Sequence, residues 1–255
     1  MLNGEKFISC TIKSVLSQTY PYIEHIVIDG KSADNTLSIV KESNPKAIVV
    51  SEPDNGATDA INKGLRIASG EIIALLNHDD YYAHDNVIRR VVDLFVADPQ
   101  LKVIYGKVRS IHPLTEQTLA IYGEPFNYEK MLRRYIIMPY PATFLRKEVY
   151  ATVGAFSVEY VVCTDYEYYL RVIKSYRPLF LDEILAVMRW GGFSTRNIYR
   201  GHREVYKLMR SNGVNRTSAS LNLGYKYTMT FLSLALQKIG LNNLVKFYRK
   251  MKGQL

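Results

Sequence analysis

What most constrains the fold of this 255-residue chain is an alternation of hydrophobic period across its first 110 residues. Ile26-Val27-Ile28, Ile48-Val49-Val50, Ile72 to Leu76 and Val103-Ile104-Tyr105 are short apolar runs of strand type. Between them the apolar residues recur at helical spacing. Ile8, Ile12, Val15 and Leu16 share one face, as do Ala57, Ala60, Ile61, Leu65 and Ala68. Ser32 is expected to cap a helix carrying Ala33, Leu37 and Val40, and Asp85 a helix carrying Ile88, Val91, Val92 and Phe95. Nearly continuous apolar strands alternating with helices predict a mostly parallel α/β sheet covered on both faces. Beyond residue 110 the strands read as longer and mixed, and from Asn197 the chain reads as helical.

In an open sheet of this kind, ligands bind beyond the carboxyl ends of the strands. Three consecutive strands run into polar tips: Asp29-Gly30-Lys31-Ser32, Ser51-Glu52-Pro53-Asp54-Asn55-Gly56 and Asn77-His78-Asp79-Asp80. Each has a simpler reading by itself, as a turn or as charge flanking a helix, and Asp59, Asn62 and Lys63 alone read as a solvated helix face. Their conjunction favours a site that gathers Asp29, Asp54, Asp79 and Asp80 on one edge. The chain carries a net charge of +9, which points to an anionic partner. A divalent cation, Mg²⁺ or Mn²⁺, holding a diphosphate would reconcile four carboxylates with that partner. Farther along, Asp165 opens an apparent helix, where an acid is either a cap or a general base. Trp190-Gly191-Gly192-Phe193-Ser194 reads as a turn, a lid or a platform for a sugar.

Other classes are excluded or weakened. Two cysteines, Cys10 and Cys163, cannot make a disulfide scaffold. No apolar stretch approaches the roughly 18 residues of a spanning helix, and the start has no signal-peptide pattern. The expectation is a cytoplasmic protein, soluble or peripheral at the inner face of the plasma membrane. The stripe Leu241, Leu244, Val245 and Tyr248, flanked by Lys246, Arg249 and Lys250, is read as a contact with an anionic membrane or as a helix packed on the domain. No nucleic-acid-binding module is recognisable.

In this order and spacing, the strings Ile28 to Thr36, Ser51 to Gly56, Asp59 to Gly64, Ala68 to Ile72 and Leu76 to Asp80 resemble the family 2 inverting glycosyltransferases of GT-A fold. The resemblance continues through Thr143-Phe144, Gly154-Ala155-Phe156, Thr164 to Glu167, Leu170-Arg171 and Gly191 to Ser194. It implies a catalytic domain over 1–196, with a nucleotide-sugar half (1–106) and an acceptor half (107–196), and a helical extension over 197–255. It implies transfer from a nucleotide sugar, a UDP-sugar as first choice, to a saccharide or lipid-linked acceptor in surface polysaccharide or lipopolysaccharide synthesis. A homo-oligomer stays open. By the same resemblance Asp29, Asp54, Asp59, Asn62, Lys63 and Asp79 would bind donor, Asp80 the metal, and Asp165 would be the catalytic base. Trp190, Gly191, Gly192 and Ser194 would serve acceptor or lid.

Three departures stand out. Asn77 replaces the first acid of the usual Asp-X-Asp string, and Tyr140 or a neighbouring proline stands where the family usually has histidine. The family also opens with a central strand that would already be over at Met1-Leu2-Asn3-Gly4. The expectation is that this strand lies upstream in a longer natural product. An extended chain should then melt higher and bind nucleotide more tightly; equal melting temperature and donor affinity would refute that. The alternative is a catalytically impaired relative acting as a binding or scaffold protein.

Overall fold

The computed structural model describes residues 1–133 and 137–239. The basic stripe expected over 241–252 lies outside them. The strands are β1 (Ile26–Asp29), β2 (Ile48–Ser51), β3 (Ile72–Ala74), β4 (Tyr81–Tyr82), β5 (Val103–Ile111), β6 (Thr118–Tyr122), β7 (Thr143–Arg146) and β8 (Leu179–Arg189). The helices are α1 (Ile8–Leu16), α2 (Thr36–Ser43), α3 (Ala57–Ile67), α4 (Val87–Ala97), α5 (Tyr128–Met131), α6 (Lys147–Val153), α7 (Thr164–Val172), α8 (Phe193–Arg196), α9 (Ile198–Ser211) and α10 (Arg216–Lys238).

The strands form two sheets. β1 and β2 pair in parallel and stand apart from a mixed sheet of order β3-β7-β5-β8-β4, with β6 antiparallel on β5. The parallel pairing expected through the first half holds for β1–β2, and in the main sheet for β5–β8. β3 and β5 are instead separated by β7, which runs antiparallel to both. Local periodicity fixes strand identity but not the long-range order of pairing, and that is where the arrangement departs from expectation.

Two helix starts also differ. α2 begins at Thr36, four residues after Ser32, because the Ser32 hydroxyl donates to Asp29 Oδ1 and is drawn back toward the strand tip. α4 has no side-chain cap; Asp85 Oδ1 accepts the Ser17 hydroxyl at 2.7 Å instead. Leu16, expected on the buried face of α1, is exposed, while Ile8, Ile12 and Val15 are buried.

Three apolar clusters hold these layers. Ile8, Ile12, Val27 and Val40 bind α1 and α2 to the small sheet. Val87, Val91 and Phe95 seal α4 against Ile104, Phe144 and Leu185 on one face of the main sheet. On the other face Val103, Tyr105 and Leu145 pack with Tyr166, Tyr169 and Leu170 of α7 and with Val205, Leu208 and Met209 of α9. The helical extension expected from residue 197 thus shares its core with the acceptor half.

The walls of β1 and β3 both line one large cleft of about 2260 Å³. Met1 lies at the cleft's edge and pairs with β1. The Met1 amine donates to the Ile28 carbonyl, and the Gly30 amide donates to the Met1 carbonyl, each at 2.7 Å. This is one rung of a parallel ladder on the edge of β1.

Candidate active site

The polar end of the cleft is built from the strand tips. Asp29 closes β1 and is fully buried. Its Oδ2 accepts the Ser32 amide at 2.9 Å and the Ser51 hydroxyl at 2.7 Å. Burial works to raise its carboxyl, but these hydrogen bonds outweigh it and hold the group below the usual carboxylate range. An ionised acceptor is therefore fixed at this tip. Asp54 sits beside it: a Cβ on Gly30 would come within 2.4 Å of Asp54 Oδ2, so a larger residue there would push the Asp54 carboxylate aside.

The Asn77–Asp80 loop follows β3 and is pinned from α1. The Thr11 hydroxyl lies 2.8 Å from the His78 carbonyl and 2.7 Å from that of Asp80. Asp80 is 1% exposed, and its Oδ2 accepts the Asn77 side-chain amide at 3.0 Å. Burial, and then the neighbouring Asp79 charge, push its carboxyl well above the usual range. Behind the loop stands Arg189, the last residue of β8, sandwiched at 4.8 Å between the Phe7 and Tyr81 rings. It donates to the Asp79 carbonyl at 2.8 Å. The turn after β8 folds over the same loop: Gly191 has φ +106°, and a Cβ on Gly192 would lie 3.7 Å from Asp79 Oδ2. Trp190 donates its amide to the Ile111 carbonyl at 2.9 Å, and Ser194 follows in α8.

Asp165 is the second residue of α7 and lines the same cleft. Its Oδ1 accepts the Tyr166 amide at 2.8 Å. Burial lifts its carboxyl to about 6, with hydrogen bonds from the backbone opposing. Tyr140, in the 3₁₀ turn Tyr140–Ala142, lies within electrostatic reach of both Asp165 and Asp80 and is itself strongly disfavoured from ionising by burial.

The cleft thus brings together Asp54, Asp59, Asp79, Asp80, Asp165 and the 190–194 turn, while Asp29 lies buried beside it at the tip of β1. Asn62 and Lys63 do not line the cleft. Asn62 exchanges two hydrogen bonds with the Phe156 backbone, 2.9 and 3.0 Å. Lys63 contacts the Pro53 carbonyl at 2.8 Å, Glu52 at 2.9 Å and Asp59 at 3.4 Å. Lys63 and Asp59, whose Oδ2 accepts the Asn55 amide at 3.1 Å, shape the Ser51–Gly56 loop from α3, and Asn62 ties α3 to Phe156. Sequence reasoning passed over Arg189 and Thr11. The signal for Arg189 was available: a cation ending the apolar run Ile184 to Met188, at a strand tip.

Among the described residues no three His, Cys, Asp or Glu side chains gather closely enough to hold a metal by themselves. Asp79 and Asp80 offer two hard carboxylates, which suits a cation that completes its shell with phosphate oxygens and water.

The model of the family described as "Glycosyl transferase family 2" matches residues 1–152. An uncharacterised glycosyltransferase of Mycobacterium tuberculosis is 29% identical over 178 residues, covering 69% of this chain and 67% of that protein. The Escherichia coli UDP-Glc:alpha-D-GlcNAc-diphosphoundecaprenol beta-1,3-glucosyltransferase WfgD is 30% identical over 162 residues, covering 58% of this chain and 63% of its own. Among solved structures, the mannosyltransferase PcManGT of Pyrobaculum calidifontis, in complex with GDP-Man and Mn²⁺, aligns with a TM-score of 0.65 at 17% identity. The alignment covers 98% of this chain and 80% of that one. TarS 1–349 of S. aureus in complex with UDP gives 0.63 at 17% identity over 89% of this chain and 68% of its own. These two show a shared fold. With α/β architecture, polar strand tips and family match together, the chain is a GT-A-fold member of glycosyl transferase family 2.

Proposed function

We propose that this protein transfers a sugar, with inversion and with help from a divalent cation, from a nucleoside diphosphate sugar to a saccharide or lipid-linked acceptor in bacterial surface glycan or glycolipid synthesis. The observation that carries this reading is Asp165. A carboxyl lifted to about 6 stands on the wall of the cleft that also holds Asp54, Asp79 and Asp80. A base poised near neutral pH can take the proton of an attacking hydroxyl. The names of relatives support the reaction class: WfgD is a glucosyltransferase using UDP-Glc, and a PGL/p-HBAD biosynthesis glycosyltransferase of Mycobacterium bovis is 26% identical over 178 residues.

Asp29 and Asp54 are assigned to the nucleoside, Asp79 to ribose or sugar, and Asp80 to the cation. The buried Asp80 fits that role, since its carboxylate oxygen at the strand tip is a hard ligand beside Asp79. When bound, Mn²⁺ or Mg²⁺ offsets charge on the departing diphosphate. Asp165 takes the acceptor proton, which leaves the oxygen free to attack the anomeric carbon opposite the diphosphate. The 190–194 turn, close to Asp79, covers the sugar and keeps water out. For the extension beyond residue 197, peripheral attachment to a membrane is proposed; no helix among the described residues is long and apolar enough to cross one.

A second reading, a relative that binds donor without turning it over, draws on the absence of a ladder between β1 and β3 among the described residues. One experiment separates the two. UDP-, GDP- and dTDP-sugars are screened for Mn²⁺-dependent thermal stabilisation, and release of nucleoside diphosphate is then measured for each stabilising donor. Stabilisation with release supports transfer, stabilisation alone supports the binder, and neither removes both.

A further inference from the structure

The chain before α7 carries an arrangement that ties the proposed base to the C-terminal helices. Glu204 lies in the middle of α9 and is 5% exposed. Its Oε2 accepts the amides of Val162 and Cys163, both at 2.9 Å. Its Oε1 accepts the Val161 amide at 3.2 Å and Arg200 Nε at 2.9 Å. Three consecutive backbone donors thus converge on one carboxylate from another element. Cys163, the N-cap residue of α7, gives that helix no side-chain cap of its own. The orphan amides that a helix start presents are ordinarily capped locally or by water. Here the residues leading into the helix are fixed from 41 to 43 positions downstream.

Packing reinforces this link. The Cys163 thiol reaches the Gly201 carbonyl at 3.5 Å, and a Cβ on Gly201 would meet Val162 Cγ1 at 3.0 Å. α9 therefore lies directly against the loop, and glycine is what permits it. On the other side Thr164 Oγ1 lies 3.1 Å from Thr58 Oγ1 of α3. The first turn of α7 is held between the donor half and α9, and Asp165 sits in that turn.

We propose that Glu204 is a positioning residue for Asp165, so that α9 is part of the catalytic apparatus although it contributes no group that touches substrate. The proposal rests on the reading of Asp165 as general base. Removing the carboxylate frees three amides at once, and the 161–163 loop must rearrange to satisfy them. A shift near 1 Å at a general base is enough to lower turnover by up to about 10²-fold. A glutamine keeps one oxygen at the Oε2 position for Val162 and Cys163, but puts an amide group against Val161 and Arg200. Its effect should be intermediate.

The test is a double-mutant cycle on the full chain. Turnover is read as UDP release from the UDP-sugar that gives the largest Mn²⁺-dependent stabilisation, and binding as the affinity for UDP with Mn²⁺. E204A is expected to lower kcat at least tenfold and to change UDP affinity less than twofold. E204Q should lose about threefold. In the D165N background both effects should shrink below twofold, because the group being positioned is gone. Should E204A prove insoluble, E204Q carries the same comparison. Equal factors in both backgrounds, or loss of UDP affinity in parallel with kcat, would assign Glu204 to general stability and overturn the proposal. A slow D165N chain with E204A and E204Q at wild-type rate overturns the proposal alone. A D165N chain near the wild-type rate removes the base, and the proposal with it.

Discussion

Asp165→Asn is expected to lower sugar transfer by about 10²-fold or more while leaving affinity for the nucleotide donor nearly intact. Asparagine keeps the shape and can still accept the Tyr166 amide, but it cannot take a proton. The pH dependence should change with it. Asp165 must be ionised to act, and its carboxyl is lifted to about 6, so the wild-type rate should rise with pH through that value and level above it. In the asparagine variant this limb should vanish. The same lift makes a statement about stability. Because the folded chain holds this proton more tightly than the unfolded one, ionising Asp165 removes stability as pH climbs from the ordinary carboxylate range to about 6. Above that window D165N should be the more stable protein, by on the order of 2–3 kcal/mol. A variant that transfers at the wild-type rate, or that melts lower at neutral pH, would make Asp165 a helix-start residue and no more.

Asp80→Ala is expected to abolish Mn²⁺-dependent donor binding and to leave the fold standing. The fold survives because the contacts from α1 to this loop run to backbone carbonyls, which alanine retains. The variant also removes a carboxyl that burial disfavours in its charged form. Binding fails because hard cations need carboxylate oxygen. Asp79 would be left as the loop's one carboxylate, and among the described residues no group of three His, Cys, Asp or Glu side chains is placed to hold the ion in its stead. Donor affinity unchanged in Mn²⁺ would sink the assignment of Asp80.

Much of this site was legible in the sequence, for a local reason. Asp29-Gly30 and Asn77 to Asp80 follow short β-branched or apolar runs, and strand tips are where an open α/β sheet binds ligands. The burial of Ile8, Ile12 and Val15 followed from spacing alone. What was not legible depends on residues far apart. Nothing local says that β7 inserts between β3 and β5, or that Asn62 turns both ends of its amide to Phe156. Glu204 in sequence is an acid four residues from Arg200, an ordinary helix pair; only the fold brings Val161, Val162 and Cys163 to it. Asp80 looked like one of several acids, and its burial came from the way α1 and β8 close over the loop.

The separation of the sheets has a consequence for how the molecule breathes. β1 and β2 share a ladder with each other, and none with the main sheet among the described residues. The α1–β2 layer can then lift away without breaking a backbone ladder of that sheet. Opening free energies of substructures track such connections. The amides of Val27 and Val49 should exchange with deuterium through a partial opening, whereas Val108 and Ala186, in the long β5–β8 ladder, should exchange only with global unfolding. On the proposed assignment, a nucleotide spanning Asp29 on one layer and Asp79 on the other binds only the closed form and stabilises it by mass action. Donor should slow exchange in β1 and β2, which lose the site on partial opening, and in β5 and β8, which lose it on global unfolding, so that substrate acts as the rivet between two layers that the backbone leaves unjoined.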